Sequence, residues 1–179
     1  MTSNDLVRFL VENGRLWIAG RRDSFQATSD PLSPEDRLVL RTHFGHNVLN
    51  RARVAWVDEI ANPDFYSAPE LAEVGIPLDF RQMSGITFLD TIVLSRSRGG
   101  GPARRRPLLF HELVHFVQYR ILGLDRFVSE YVEGWARNGR SYEAIPLERM
   151  AYEMQDRFER AAGRFSVEQE VVGALGGAA

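Results

Sequence analysis

Residues 107–119 read Pro-Leu-Leu-Phe-His-Glu-Leu-Val-His-Phe-Val-Gln-Tyr, and no other stretch of the chain limits its fold and chemistry so tightly. Leu108, Leu109, Leu113, Phe116 and Val117 suit a buried helix, Pro107 suits its first turn, and Gly123 suits its end. On that helix His111 and His115 stand four residues apart on one face, where two neutral imidazole nitrogens can share one zinc ion. Glu112 can then reach a water at the metal as a general base instead of joining the coordination sphere. The alternative is a core helix whose histidines are satisfied by backbone or carboxylate groups. Burying two imidazoles and a glutamate among aliphatic residues without a metal leaves polar groups that are costly to satisfy.

Because the chain has no cysteine, zinc has to be held by His, Glu or Asp, and neither disulfides nor a cysteine nucleophile enter the argument. The 179 residues are enough to bury a proper core, so one domain over 1–179 is expected, with 1–32 as an N-terminal extension and 173–179 as a frayed tail. A net charge of −2 gives no bulk attraction to nucleic acid or to a membrane surface. Met1-Thr2-Ser3-Asn4-Asp5 lacks the basic start and apolar core of a secretory signal, and no run approaches the length of a membrane span, so a cytoplasmic location is expected.

The pattern along the chain predicts an α+β fold with a mostly helical C-terminal half. Leu6 to Gly14 reads as a short amphipathic helix stopped by Asn13-Gly14, and Arg15 to Gly20 as a turn or strand. Ser33-Pro34-Glu35-Asp36 has the cap, the proline and the acids of a helix start, and predicts a helix running to about Asn50. Arg53 to Val57 reads as a strand, Asn62 to Tyr66 as turns, and Gly85 to Ser95 as a second strand or a tight hairpin about Asp90. This last segment is the candidate for aligning an extended substrate beside the metal helix. Arg96 to Arg106 is a Gly-rich loop with five arginines, expected to be solvated; three of them beside a helix N-terminus oppose its dipole, so the loop should lie apart from the helix or meet an acidic group. Helices are predicted from Asp125 to about Arg137, ended by Asn138-Gly139, and from Pro146 to about Arg160.

A catalytic zinc site needs a third protein ligand and an open position. A third histidine six residues after His115 is excluded, since Ile121 stands there, and His43 and His46 belong to another helix. A downstream glutamate is the natural choice. Glu148 lies in the first turn of the last long helix, oriented by Pro146, with Ala151 permitting close packing and Tyr152 one turn further on. Glu133 is the next choice, and Glu130, Glu143 and Glu153 also compete.

His111-Glu112-x-x-His115 followed by a glutamate on a later helix resembles the gluzincin division of the zincin metallopeptidases, in a small, one-domain form. Glu148-x-x-Ala151-Tyr152 is similar to the Glu-x-x-Ala-Asn helix of small bacterial metallopeptidases that cleave repressors. The resemblance spans roughly residues 85–158. It implies a zincin-like fold with a small twisted sheet over the metal helix, one Zn2+ held by His111, His115 and Glu148, and Glu112 as base. It also implies a peptide or protein substrate. Tyr152 and Tyr142 are the candidate donors to the developing oxyanion. The chain departs from thermolysin-like enzymes in the neighbours of Glu133, and from the repressor-cleaving group in Tyr152, so no particular substrate carries over. A zinc-binding regulatory or sensor protein is the second reading, and nucleic-acid binding through Arg104, Arg105 and Arg106 the weakest.

Overall fold

The computed structural model describes residues 2–72, 77–99 and 101–176. The fold is α+β, with six helices and a four-stranded mixed sheet among the described residues. Helix α1 spans Ser3–Phe25, and strand β1 Asp30–Pro31 leads to α2, Pro34–Leu40, and α3, His46–Arg51. Strand β2, Arg53–Val57, is followed by 3-10 turns and then by the hairpin β3, Gly85–Phe88, and β4, Thr91–Ser95. Helix α4, Pro102–Arg137, α5, Pro146–Glu159, and α6, Val167–Leu175, complete the chain.

The sheet order is β1-β2-β4-β3. All five residues of β4 are buried, as befits the strand that pairs with β2 in parallel and β3 in antiparallel fashion. Ile92 and Leu94 join one apolar cluster with Leu40, Val48, Phe110 and Leu113, while Val93 joins another with Leu10, Phe88, Tyr119 and Phe127. Helix α4 supplies both clusters and so spans the whole core. The hairpin turns at Leu89-Asp90 as expected, with Leu89 at φ 59°.

Strand β3 is the edge nearest α4. Ser95 donates its N–H to the Ser84 carbonyl at 2.9 Å, so with Gly85 opposite Leu94 the backbone groups of Ile86 and Phe88 turn toward β4. Those of Gly85 and Thr87 therefore face the outer edge, and no other backbone group among the described residues pairs with them.

Several expectations need correction. Asn13-Gly14 does not stop a helix and Arg15 to Gly20 is neither turn nor strand; α1 runs straight through. Leu6, Leu10, Gly14 and Ile18 are buried at four-residue spacing, Asn13 donates its side-chain amide to the Phe9 carbonyl, and Gly14 lies where an added Cβ would stand 3.3 Å from Val128. Packing on α4 outweighs the local stop signal. The helix begun at Ser33 has the expected cap, with Ser33 accepting from the Asp36 N–H at 3.1 Å, but it breaks after Leu40 and restarts at His46. Gly45 lies in the break, its N–H held by Glu168 of α6 at 2.7 Å.

The arginine-rich loop is shorter than expected, because α4 starts at Pro102 and carries Arg104, Arg105 and Arg106 in its first turns. Pro107 is therefore inside the helix and not in its first turn. The acidic partner exists: Arg105 and Arg106 both reach the buried carboxylate of Asp36. Gly123 breaks the helical path, at φ 74° and ψ 168°, where the sequence places its end, and the chain resumes as a second helical stretch to Arg137. Helix α6 was not expected, and it carries Gly173, placed by the sequence in the frayed tail; residues 177–179 lie outside the described residues.

Candidate metal centre

Pro146 opens α5 and aims Glu148, in its first turn, at the face of α4 that carries the two histidines. Ala151, fully buried, lets the two helices approach closely. His111, His115 and Glu148 converge, and among the described residues they are the only such group of possible metal ligands. His111 Nε2 lies 3.0 Å from His115 Nε2 and 3.2 Å from Glu148 Oε2, and His115 Nε2 lies 3.3 Å from the same oxygen. Ligands about 2.0–2.1 Å from a tetrahedral zinc stand roughly 3.3 Å apart, so the triangle has the dimensions of one face of such a site.

Glu112 leaves that triangle and turns to the sheet edge. The Thr87 hydroxyl lies 2.8 Å from Glu112 Oε2 and 2.9 Å from the Glu112 carbonyl, donating to one of them at a time. Room for the carboxylate depends on Gly85, where an added Cβ would stand 2.6 Å from Glu112 Oε1. One strand thus both leaves backbone groups unpaired along its outer edge and holds the candidate base.

Three positioning groups escaped the sequence reading: Thr87, Gln118 and Tyr131. Gln118 is fully buried, and its amide N–H donates to the Leu147 carbonyl at 3.0 Å. Because a carbonyl only accepts, this bond fixes which end of the amide is which, and the Gln118 oxygen faces His115 Nδ1 at 2.8 Å. Nδ1 must then carry a proton, which turns the lone pair of Nε2 toward Glu148 and His111, as a metal ligand requires. Tyr131 donates its hydroxyl to Glu148 Oε1 at 2.7 Å and leaves Oε2 for the triangle. Thr87 and Tyr131 meet partners far along the chain, which no local pattern announces, whereas Gln118 stands three residues after His115 on the same helix, a spacing that could have singled it out.

The four buried groups are electrostatically coupled. Burial pushes the Glu112 carboxyl above the ordinary carboxylate range, although both imidazoles and the Thr87 hydroxyl act against it. Burial would also raise Glu148, but His115 and His111 hold it well below its usual value. Burial lowers His115, yet Glu148 and Glu112 outweigh it and push the imidazole up to about 9. A proton on His115 therefore supplies positive charge between two carboxylates, and a divalent metal would displace it. His111 Nδ1 is buried with no hydrogen-bond partner, so no group outside the triangle fixes this ring as Gln118 fixes that of His115.

The remaining candidates lie apart or at the margin. Tyr152 is 45% exposed and its ring sits 4.5 Å from that of His111, while Tyr142 lines a cavity next to the site. Glu133 pairs with Arg137, Glu130 with Arg126, and neither joins the triangle. His43 is packed among Phe110, Phe158 and Phe165, and His46 meets Asn50.

Comparison of the chain with protein-family models, with curated proteins and with solved structures finds no match. No helix among the described residues is long and apolar enough to cross a membrane.

Proposed function

We propose that this chain is a zinc-dependent hydrolase of the zincin type that cleaves peptide bonds. The observation that carries the reading is the convergence of His111, His115 and Glu148 with Glu112 held beside them by Thr87. His111, His115 and Glu148 would hold one Zn2+, which supplies a Lewis acid able to polarise a carbonyl and acidify water. Glu112 is the general base: it takes a proton from the attacking water and passes it to the leaving amine. The outward-facing backbone at Gly85, the partly exposed start of β3, is the candidate strand partner for an extended substrate beside Glu112. Tyr152, beside His111, is the candidate donor to the oxyanion.

The first test is Glu112→Gln. Zinc content should match the wild type while hydrolysis of a peptide library falls by about two orders of magnitude or more. Undiminished hydrolysis would remove Glu112 from the mechanism. The second reading, a zinc-binding regulatory protein, draws support from the depth of the site, where His111, Glu112, His115 and Glu148 are only 3–5% exposed. It expects bound zinc and no turnover in the wild type.

A further inference from the structure

Beside the candidate metal centre lies a half-open cavity of about 110 Å3, lined by α1, by residues 63–66 and 77–83, by β3 and by the second half of α4. Its walls are apolar: Leu10 and Trp17 come from α1, Ile86 from β3, and Phe127 and Val132 from α4. Glu112, His115 and Glu148 form its polar end. Most of the wall is tightly built. Trp17 packs against Phe80 and Phe88 at ring separations of 5.0 and 5.1 Å, and Phe127 stacks on Tyr119 at 3.6 Å. An apolar space of this size next to hydrolytic side chains forgoes contacts that a core would ordinarily make, since protein interiors otherwise fill such voids.

We infer that this cavity is a specificity pocket for one apolar side chain of the substrate, of branched-aliphatic or single-ring size, on a residue adjoining the bond to be cleaved. The inference rests on the hydrolase reading for the chemistry but on the cavity alone for the ligand class. Size decides between possible occupants. An engineered apolar cavity of roughly 150 Å3 takes one benzene ring, so a space of about 110 Å3 suits a leucine-sized side chain and at most a single ring, whereas an indole or a long acyl chain exceeds it. Position agrees, because Gly85 and Thr87 line the same cavity, and a chain paired along their outer edge directs alternate side chains to one face of the sheet. The wall formed by α1 makes residues 3–25, set apart in the sequence reading as an extension, part of the substrate site.

The test uses probes that carry their own zinc-binding group. Glycine, leucine, tryptophan and octanoyl hydroxamates are titrated into the zinc-loaded protein by calorimetry, and benzene is titrated into the metal-free protein by NMR. Leucine hydroxamate should bind about ten- to a hundredfold tighter than glycine hydroxamate, as burial of one such side chain predicts. Tryptophan and octanoyl hydroxamates should bind more weakly than the leucine compound. Leu10→Phe and Val132→Phe, on opposite walls and away from the ligand triangle, should each abolish that preference and the benzene shifts while zinc content stays at the wild-type level. Equal affinity for the glycine and leucine compounds, or tightest binding of the octanoyl compound, would overturn the inference. Benzene reads the cavity without the metal: a protein that takes up benzene but no zinc would contradict the hydrolase reading and leave the pocket standing.

Discussion

Gln118 is the residue on which the geometry of the second histidine turns. Its amide is held between the Leu147 carbonyl and His115 Nδ1, so one buried side chain sets both the tautomer and the ring orientation of a candidate ligand. Gln118→Leu keeps the apolar packing but removes the acceptor. Its zinc affinity, measured by competition with a chelator, should fall by about 10- to 100-fold, the range found when the outer partner of a metal-bound histidine is lost. The 15N shifts of His115 in the metal-free protein, recorded above pH 9 where the ring has lost its second proton, should show the fixed Nδ1–H form in the wild type and a mixture in the variant. Unchanged affinity and shifts would show that packing alone orients the ring. Only part of this residue-scale picture was legible beforehand. His111, Glu112, His115 and Glu148 announce themselves through residue type and helical spacing, whereas Gln118 and Leu147 lie 29 residues apart, and Thr87 and Glu112 25, in pairings that only the fold creates.

At the scale of elements, α4 carries most of the candidate site and Gly123 lets both of its stretches reach it. The first stretch of the helix bears the histidines, the second lines the cavity and brings Tyr131 to Glu148, and Gly123 joins them at φ 74° and ψ 168°. That conformation is essentially reserved for glycine. Gly123→Ala should cost about 1–3 kcal/mol in urea denaturation, although no atom stands within 4 Å of the added methyl. A change within a few tenths of a kcal/mol would mean that the bend is not enforced. Signals of this local kind were readable: Gly123, the Ser33 cap and the Pro146 start all fall where the sequence places them. Two of the misreadings share one cause. Asn13-Gly14 looks like a stop and 37–50 like one helix, but the Gly14 contact with Val128 and the Gly45 bond to Glu168 come from distant segments, which a local pattern does not encode.

Across the whole molecule, the sheet and the N-terminal helix are tied together by the two-pronged pair of Arg22 with Asp90, at 2.8 and 3.0 Å, which locks α1 to the hairpin turn. Burial raises the Asp90 carboxyl, but the Arg22 guanidinium outweighs it and leaves the group below its ordinary value. A carboxyl lowered in the folded state stabilises the protein fully above its unfolded pKa of about 3.9, and the contribution is lost as pH falls through the lower, folded value. Asp90→Asn should therefore reduce stability at pH 7 by about 0.5–1 kcal/mol. It should also flatten the acid limb of a stability profile measured from pH 6 to pH 2. An unchanged acid limb would indicate that the pair contributes nothing.

The central claim is that α4 and α5 jointly build one metal site. Elemental analysis of the purified protein, compared with His115→Ala and Glu148→Ala, tests it most directly. The account predicts one zinc per chain in the wild type and loss of that zinc in both variants, each remaining folded by circular dichroism. Zinc retained at full stoichiometry in Glu148→Ala, or no zinc bound by the wild type after reconstitution, would contradict it.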